Sequence, residues 1–460
     1  MPTRGEVPAR REGADRPLRL MGRGAKTALW AALSVANGLA AAAADPVAEQ
    51  GLVWMIEQAR LHERNPLRTA TESAASDAAW TSAIEGRYAG GWEGQRFSAF
   101  GRWLTTRYDQ QDALDHRAYR TGMAWDLRTA GDWGARLSWD RRQDPLEGQV
   151  RTDPETGSRR VQSLEQAGGI LRWGVHRRWG LDLHWVRERM DPNRPQPWWS
   201  GYEQDNWRLQ WRGEWSRRSS WGLGYRRVMG TQFAVDAPAS SQPAQDYRVA
   251  LWEAEWGWQP REGDLLSLRL AAGDGQRQWM TPATGLAPPS NSQVARSLAA
   301  EWRWQPTAHW SLRTQIGRDE GQQTQGVITA LDRVGLALQG ASDVRQARVG
   351  LQWEPTRRFQ TFAGWQRVQR LGRQTWMFTE GGSVGGLDEA RWQDRWDRTS
   401  WGLSWQLGHG LSLRCLAQRE TKRGSGFGTL VATSTPDRLV WRDTAWQCGL
   451  GWQSGLNHRL

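Results

Sequence analysis

Runs of alternating apolar and polar residues, joined in turn by short and long connections, constrain this chain more than any other feature. Between Gln95 and Asp144, one face carries Phe97, Ala99, Gly101 and Trp103, and the other Arg96, Ser98 and Arg102. The next run sets Tyr119, Thr121, Met123, Trp125 and Leu127 against Arg120, Gly122, Ala124, Asp126 and Arg128. A third sets Trp133, Ala135, Leu137 and Trp139 against Gly134, Arg136, Ser138 and Asp140. Side chains alternate across a strand, so a period of two builds strands with one oily face and one wet face. Here the oily face is aromatic and the wet face is charged.

The rhythm continues to the C-terminus and is sharpest where Trp207, Leu209, Trp211 and Trp215 alternate with Arg208, Gln210, Arg212 and Glu214. Short polar turns such as Trp92-Glu93-Gly94, Arg217–Ser220 and Leu407–Gly410 join the runs within each pair. Longer polar segments separate the pairs, near Asp144–Arg160, Asp191–Tyr202, Ala234–Gln245, Gln276–Gln293, Asp319–Ser342, Gly372–Ala390 and Thr421–Arg438. Strict alternation of short and long connections predicts an all-β fold: a single transmembrane antiparallel up-and-down barrel with short periplasmic turns and long extracellular loops. Counting Gly51–Arg60 as a weak first strand gives about 18 strands with both termini periplasmic; without it the count falls to about 16.

Composition separates this fold from its competitors. Only 38% of the 460 residues are hydrophobic, at a mean hydropathy of −0.75, which excludes a helical membrane protein built on long apolar runs. The 34 tryptophans and the clean periodicity exclude disorder. A propeller would show a fixed blade period, and none is present. Trp92, Trp258, Trp304, Trp310 and Trp353 lie beside short turns, where an interfacial aromatic girdle belongs.

Met1–Ala44 reads as an export signal, with Met21 as a second candidate start, an apolar stretch from Thr27 to Ala44 and cleavage before Asp45. The barrel is then 45–460, bound for the bacterial outer membrane. The formal charge is +12, and Lys26 and Lys422 are the only lysines. The arginines are interleaved with acids along the chain, which argues against a nucleic-acid partner.

Catalytic chemistry is sparse. The seven histidines are scattered without an HExxH spacing, and the one GxSxG run, Gly381–Gly385, lies within a segment read as a long polar loop and not at a strand-to-helix turn. The reading is therefore a non-enzyme without catalytic, metal or cofactor residues. Cys415 and Cys448 fall on the last two strands. Antiparallel pairing would set them opposite each other in a disulfide-permissive compartment, yet disulfides fit regular ladders awkwardly, so both the bonded and the free form stay open. Parity along the strands turns Arg102, Arg120, Asp126, Arg136, Asp140, Arg172, Asp182, Arg208, Arg212, Glu214, Arg226, Glu253, Glu301, Arg313, Arg348 and Arg414 toward the lumen, with Glu85 on the same side. A water-filled pore needs polar lining in any case. A basic excess would also draw acidic permeants, and guanidiniums, carboxylates and flat rings suit sugar faces.

Specific residues add a resemblance. Asn65-Pro66-Leu67-Arg68, Gln95-Arg96-Phe97, Tyr108, Leu114-Asp115, Tyr119, Trp125 and Ser138-Trp139-Asp140-Arg141 follow one another as in the EpsL-type outer-membrane proteins encoded with exopolysaccharide biosynthesis genes, which this chain resembles. The resemblance implies a porin-like barrel through which, or beside which, a secreted polysaccharide leaves the cell; the lumen residues read from parity are then the candidates to line its path, and their basic excess admits an acidic polymer. The resemblance also implies partners among periplasmic polysaccharide-export and chain-length proteins. Any barrel of this kind adds outer-membrane lipid and the barrel-assembly machinery. The alternatives are a general or substrate-selective diffusion porin and, further off, a barrel enzyme or a surface adhesion protein.

Overall fold

The computed structural model describes residues 51–66, 76–145, 161–175, 177–192, 201–233, 244–279, 291–328, 334–380, 383–425 and 440–457. The segment read as an export signal lies outside the described residues. The first nine strands are β1 (Gly51–Glu63), β2 (Asp77–Trp92), β3 (Gln95–Tyr108), β4 (His116–Arg128), β5 (Trp133–Pro145), β6 (Val161–Trp173), β7 (Trp179–Pro192), β8 (Tyr202–Ser216) and β9 (Ser219–Gln232). The second nine are β10 (Gln245–Trp258), β11 (Leu265–Trp279), β12 (Asn291–Thr307), β13 (Trp310–Ile328), β14 (Val334–Thr356), β15 (Phe359–Glu380), β16 (Ser383–Gly408), β17 (Leu411–Ser425) and β18 (Val440–Asn457).

Each strand pairs antiparallel with its neighbours in sequence. The ring closes where β1 pairs β18, from Gly51 opposite Asn457 to Glu63 opposite Ala445. Closure leaves no strand edge with unpaired backbone groups, which is what a sheet needs in hydrocarbon. The expected count of 18 strands and the first strand over Gly51–Arg60 are both present. Among the described residues no helix is long and apolar enough to cross a membrane; this chain would cross with strands.

The outer wall is apolar and exposed. Trp92, Trp215 and Trp252 are 69%, 71% and 70% exposed, and most other outward positions are Trp, Leu, Ile or Ala. Two aromatic levels bound the belt. Near the short turns Trp173 packs edge-on to Trp179 at 5.0 Å, Trp211 on Trp221 at 4.9 Å and Trp310 against Trp353 at 5.5 Å. Higher on the wall, Trp185 meets Trp207 at 6.0 Å and Tyr225 meets Trp252 at 5.0 Å. From Trp215 to Trp207 along β8 is close to the roughly 9–11 residues that a tilted strand needs to cross. Above the second level the outward positions turn charged.

The turns use residues that tolerate positive φ. Gly94 has φ +76° between β2 and β3, and Leu407–Gly410 places Gly408, His409 and Gly410 at φ +114°, +50° and +78°.

Two expected loops are strands. Asp319–Ser342 and Gly372–Ala390 were predicted to be long polar connections. Instead β13 through β16 run 19, 23, 22 and 26 residues, pairing as far as Ile328 opposite Gly335 and Glu380 opposite Ser383. These hairpins continue well past the length needed to cross. Beyond the membrane neither face has to be apolar, so the oily–wet alternation that marks a membrane strand ends while the backbone pairing continues.

Candidate functional site on the inner wall

Strand register sorts every sequence-predicted lumen residue onto one face. Glu85 lies opposite Arg102, Arg102 opposite Arg120, Asp126 opposite Arg136, Arg172 opposite Asp182 and Arg208 opposite Arg226. Glu253 faces Gly224 across β9, and Glu301 faces Gln315, which in turn faces Arg348. The exposed Trp and Leu residues occupy the alternate positions. The charged side chains lie flat against the wall and cover one another; Arg208, Glu253, Asp182 and Glu85 are all less than a tenth exposed.

Register alone does not set the ion pairs, because strand tilt brings together residues two strands apart. The densest group spans β8 to β11. The Arg208 Nε lies 2.5 Å from Glu253, and its Nη2 lies 2.9 Å from Glu255. Gln210 donates to Glu255 at 2.7 Å, Arg226 stands 3.7 Å from Glu253, and Arg269 pairs with Glu255. A second group joins Arg212 to Asp182 at 3.0 Å and Arg172 to the same carboxylate at 3.9 Å. Arg102 reaches Glu57 at 3.5 Å and Glu85 at 3.9 Å. Arg120 pairs Asp140 at 3.0 Å, Arg136 lies 3.7 Å from Asp126, and Glu301 sits between Arg313 at 2.9 Å and Arg303 at 3.7 Å.

Three predicted residues are held differently. Arg348 lies against Gln366, whose amide oxygen, turned toward it, accepts from two guanidinium nitrogens at 3.2 and 3.3 Å. Arg414 and Glu214 share the inner face without an ion-pair partner among the described residues.

Several inner-wall groups escaped sequence reasoning although they obey the same parity: Glu57, Glu255, Arg269, Arg398, Glu420 and Asp443. Arg398 and Glu420 form the most enclosed pair on the wall, with side chains 5% and 1% exposed. Gln418 adds a hydrogen bond to Glu420 at 2.6 Å, and Asp443 stands opposite Glu420. Inward aromatics interrupt the charges. The Arg120 guanidinium lies 5.4 Å from the Phe100 ring, Tyr247 donates to Gln204 at 3.0 Å, and Tyr202 donates to Glu188 at 2.5 Å.

At the extracellular rim a separate constellation gathers Asn65, Tyr108, Leu114 and Asp115, four residues of the sequence resemblance. A short 3-10 turn, Asp112–Leu114, seats Leu114 against Ala79 and Tyr108, with Leu61 alongside. The Tyr108 hydroxyl donates to Glu63 at 2.5 Å, and its backbone N–H donates to Asp115 at 2.7 Å. Asp77 accepts from the backbone of Gln111 at 3.0 Å. Asn65 donates its backbone N–H to Asp443 at 3.1 Å and its side-chain amide to the Arg442 carbonyl at 3.3 Å, which ties β1 to β18. Asn65 and Leu114 are fully buried.

The two cysteines are bonded. Cys415 and Cys448 stand directly opposite on β17 and β18 with their Cα atoms 4.1 Å apart, on the outward face. That separation is close to the narrow pair of an antiparallel ladder, the geometry left open by sequence. Among the described residues no group of His, Cys, Asp or Glu could hold a metal ion.

No protein-family model matches the sequence, and no curated protein matches it. Among solved structures, the chain is similar to OpdL of Pseudomonas aeruginosa, at 13% identity and a TM-score of 0.39 over 88% of this chain and 99% of that one. It is similar to OccK2 (OpdF) of the same organism, solved with glucuronate, at 12% identity and a TM-score of 0.40 over 88% and 98%. It is also similar to the siderophore receptor PirA of P. aeruginosa, at 11% identity and a TM-score of 0.40 over 88% and 80%. Likenesses this distant assign no substrate. The reading of an outer-membrane barrel rests on closed strand pairing between an apolar outer wall and a charged inner one.

Proposed function

We propose that this barrel is the outer-membrane passage for a secreted polysaccharide. The observation that carries the reading is the inner wall, where arginines and carboxylates run in rows beside the rings of Phe100, Tyr202 and Tyr247. Fixed donors, acceptors and flat apolar faces suit a chain of sugar hydroxyls. Arginines such as Arg414, without a carboxylate partner, suit acidic units along it. The resemblance to EpsL-type proteins supports the same cargo, with periplasmic export and chain-length proteins as partners. No step requires catalysis or a cofactor.

The test is genetic and electrical. A strain lacking the barrel should retain polymer in the periplasm while synthesis continues, and secretion at the normal level overturns the proposal. The purified barrel in a planar bilayer should show conductance blocked by the acidic polymer and eased by Arg414→Gln. A large conductance indifferent to polysaccharide would instead mark a diffusion porin for small solutes.

A further inference from the structure

The outer wall carries its own arginines. Immediately above the upper aromatic level, the first charged outward residue of most strands is an arginine. Arg117, Arg141, Arg227, Arg248, Arg419 and Arg442 are all exposed and have no ion-pair partner among the described residues. Glu165 stands opposite Arg141 but accepts from the Trp139 indole at 3.0 Å instead. Positive charge stationed at the top of a lipid belt faces the headgroup layer of the outer leaflet.

On β9 to β13 this collar meets a furrow of about 570 Å³. Register explains its shape. Ala254 lies between Leu223 and Leu270, and Ala272 lies between Trp252 and Arg296. The two alanines form the floor; Leu223, Trp252, Leu270 and Leu298, between 45% and 70% exposed, form the sides. At the upper end stand Arg296 and Arg318. The acid facing Arg296 across the ladder, Glu320, pairs with Arg318, which also reaches Asp343 at 3.1 Å. Arg296 itself has no ion-pair partner among the described residues.

We infer that this furrow is a binding site for a phosphorylated lipid of the outer leaflet, with an acyl chain along Ala254 and Ala272 and its phosphate on Arg296. An apolar trough on a lipid-facing wall suits a chain, and a planar guanidinium at its mouth suits a phosphate. The site is continuous with the surface that lipid already covers.

Native mass spectrometry of the full barrel in neutral detergent, titrated with bisphosphorylated lipid A or with phosphatidylethanolamine, tests it. Lipid A should bind selectively. Arg296→Gln should weaken it about tenfold, the usual scale for losing one charge-assisted contact. Ala272→Trp, which fills the floor and leaves Arg296 in place, should weaken it comparably. Arg217→Gln with Arg218→Gln, on a short turn at the opposite rim, should leave it unchanged. Heat-modifiable gel mobility confirms that each variant is folded. The inference is overturned if lipid A binds Arg296→Gln as it binds the parent, if the opposite-rim variant loses as much, or if millimolar inorganic phosphate displaces the lipid completely.

Discussion

Replacing Glu420 by glutamine removes one negative charge from the most enclosed part of the inner wall and leaves the side chain's shape intact. Its Oε1 accepts from the Arg398 Nε at 2.5 Å and from Gln418 at 2.6 Å. With side chains 5% and 1% exposed, water screens little of the pair. Breaking a buried ion pair by removing one partner costs about 3–5 kcal/mol, because the remaining charge stays desolvated. Asp443, directly opposite Glu420, leaves a carboxylate on the next strand of the same face, which places Glu420→Gln near the lower end, about 3 kcal/mol. Arg398→Met belongs at the upper end, since it leaves Glu420 and Asp443 adjacent without that cation.

The double variant Arg398→Met, Glu420→Leu should recover most of the loss, because a buried pair replaced by apolar groups of similar volume is close to neutral. With Glu420→Leu as the matching single variant, the cycle should be strongly non-additive, the double variant losing less than either single one. Reversible urea unfolding of the barrel refolded in thin-bilayer vesicles, followed by tryptophan emission, reads it out. At a slope of about 3 kcal/mol per M, Glu420→Gln shifts the midpoint by about 1 M. A single-variant loss below about 0.5 kcal/mol, the size usual for exposed pairs, would show that lumen water reaches the pair and refute the argument.

Other consequences follow from the seam, the rim and the disulfide. Cys415 and Cys448 are 33 residues apart, so chain-entropy reasoning gives the bond about 3–4 kcal/mol. Cys415→Ala with Cys448→Ala should lose up to that amount in the same unfolding assay, and non-reducing peptide mapping should find the linked pair in the parent. At the seam, a Cβ on Gly449 would stand 2.5 Å from the Ala59 Cβ. Gly449→Val should therefore cost about 1–3 kcal/mol through overpacking, and Ala59→Gly in the same chain should return part of it. At the rim, Tyr108→Phe leaves the buried Glu63 carboxylate without its hydroxyl donor, at about 1–3 kcal/mol. Protease cleavage near Asp112–Leu114 should then rise before global unfolding does.

Parity was enough to place Arg102, Arg208 and Glu253 on the inner face, because a period of two is fixed by strand geometry and owes nothing to packing. The same parity holds for Glu255 and Glu420, which were legible and overlooked. The partners were not legible. That Arg208 meets Glu253 and Glu255 two strands away depends on the stagger of the closed sheet, and no local pattern encodes it. The upper halves of β13 to β16 were hidden for another reason. Beyond the membrane neither face is obliged to be apolar, so the periodic signal ends before the strands do. The pairing of Cys415 with Cys448 turned on register to a single residue, since a slip of one would have sent the two thiols to opposite faces.

The rim constellation changes what the sequence resemblance can mean. Asn65 ties β1 to β18 through Asp443 and the Arg442 carbonyl, and Arg64 donates its N–H to the Thr444 carbonyl at 2.9 Å. Tyr108, Leu114 and Asp115 pack the turn between β3 and β4 down onto β1 and β2. These residues sit where the first strands meet the last, and their hydrogen bonds hold the ring shut at its extracellular end. The part of the likeness that these four residues carry therefore speaks to how a barrel closes. The proposed cargo is tested on the side chains it would touch, the arginines and carboxylates of the inner wall. Tyr108→Phe and Arg414→Gln therefore separate the two: the first should alter stability and leave the blocking polymer's affinity unchanged, and the second should do the reverse.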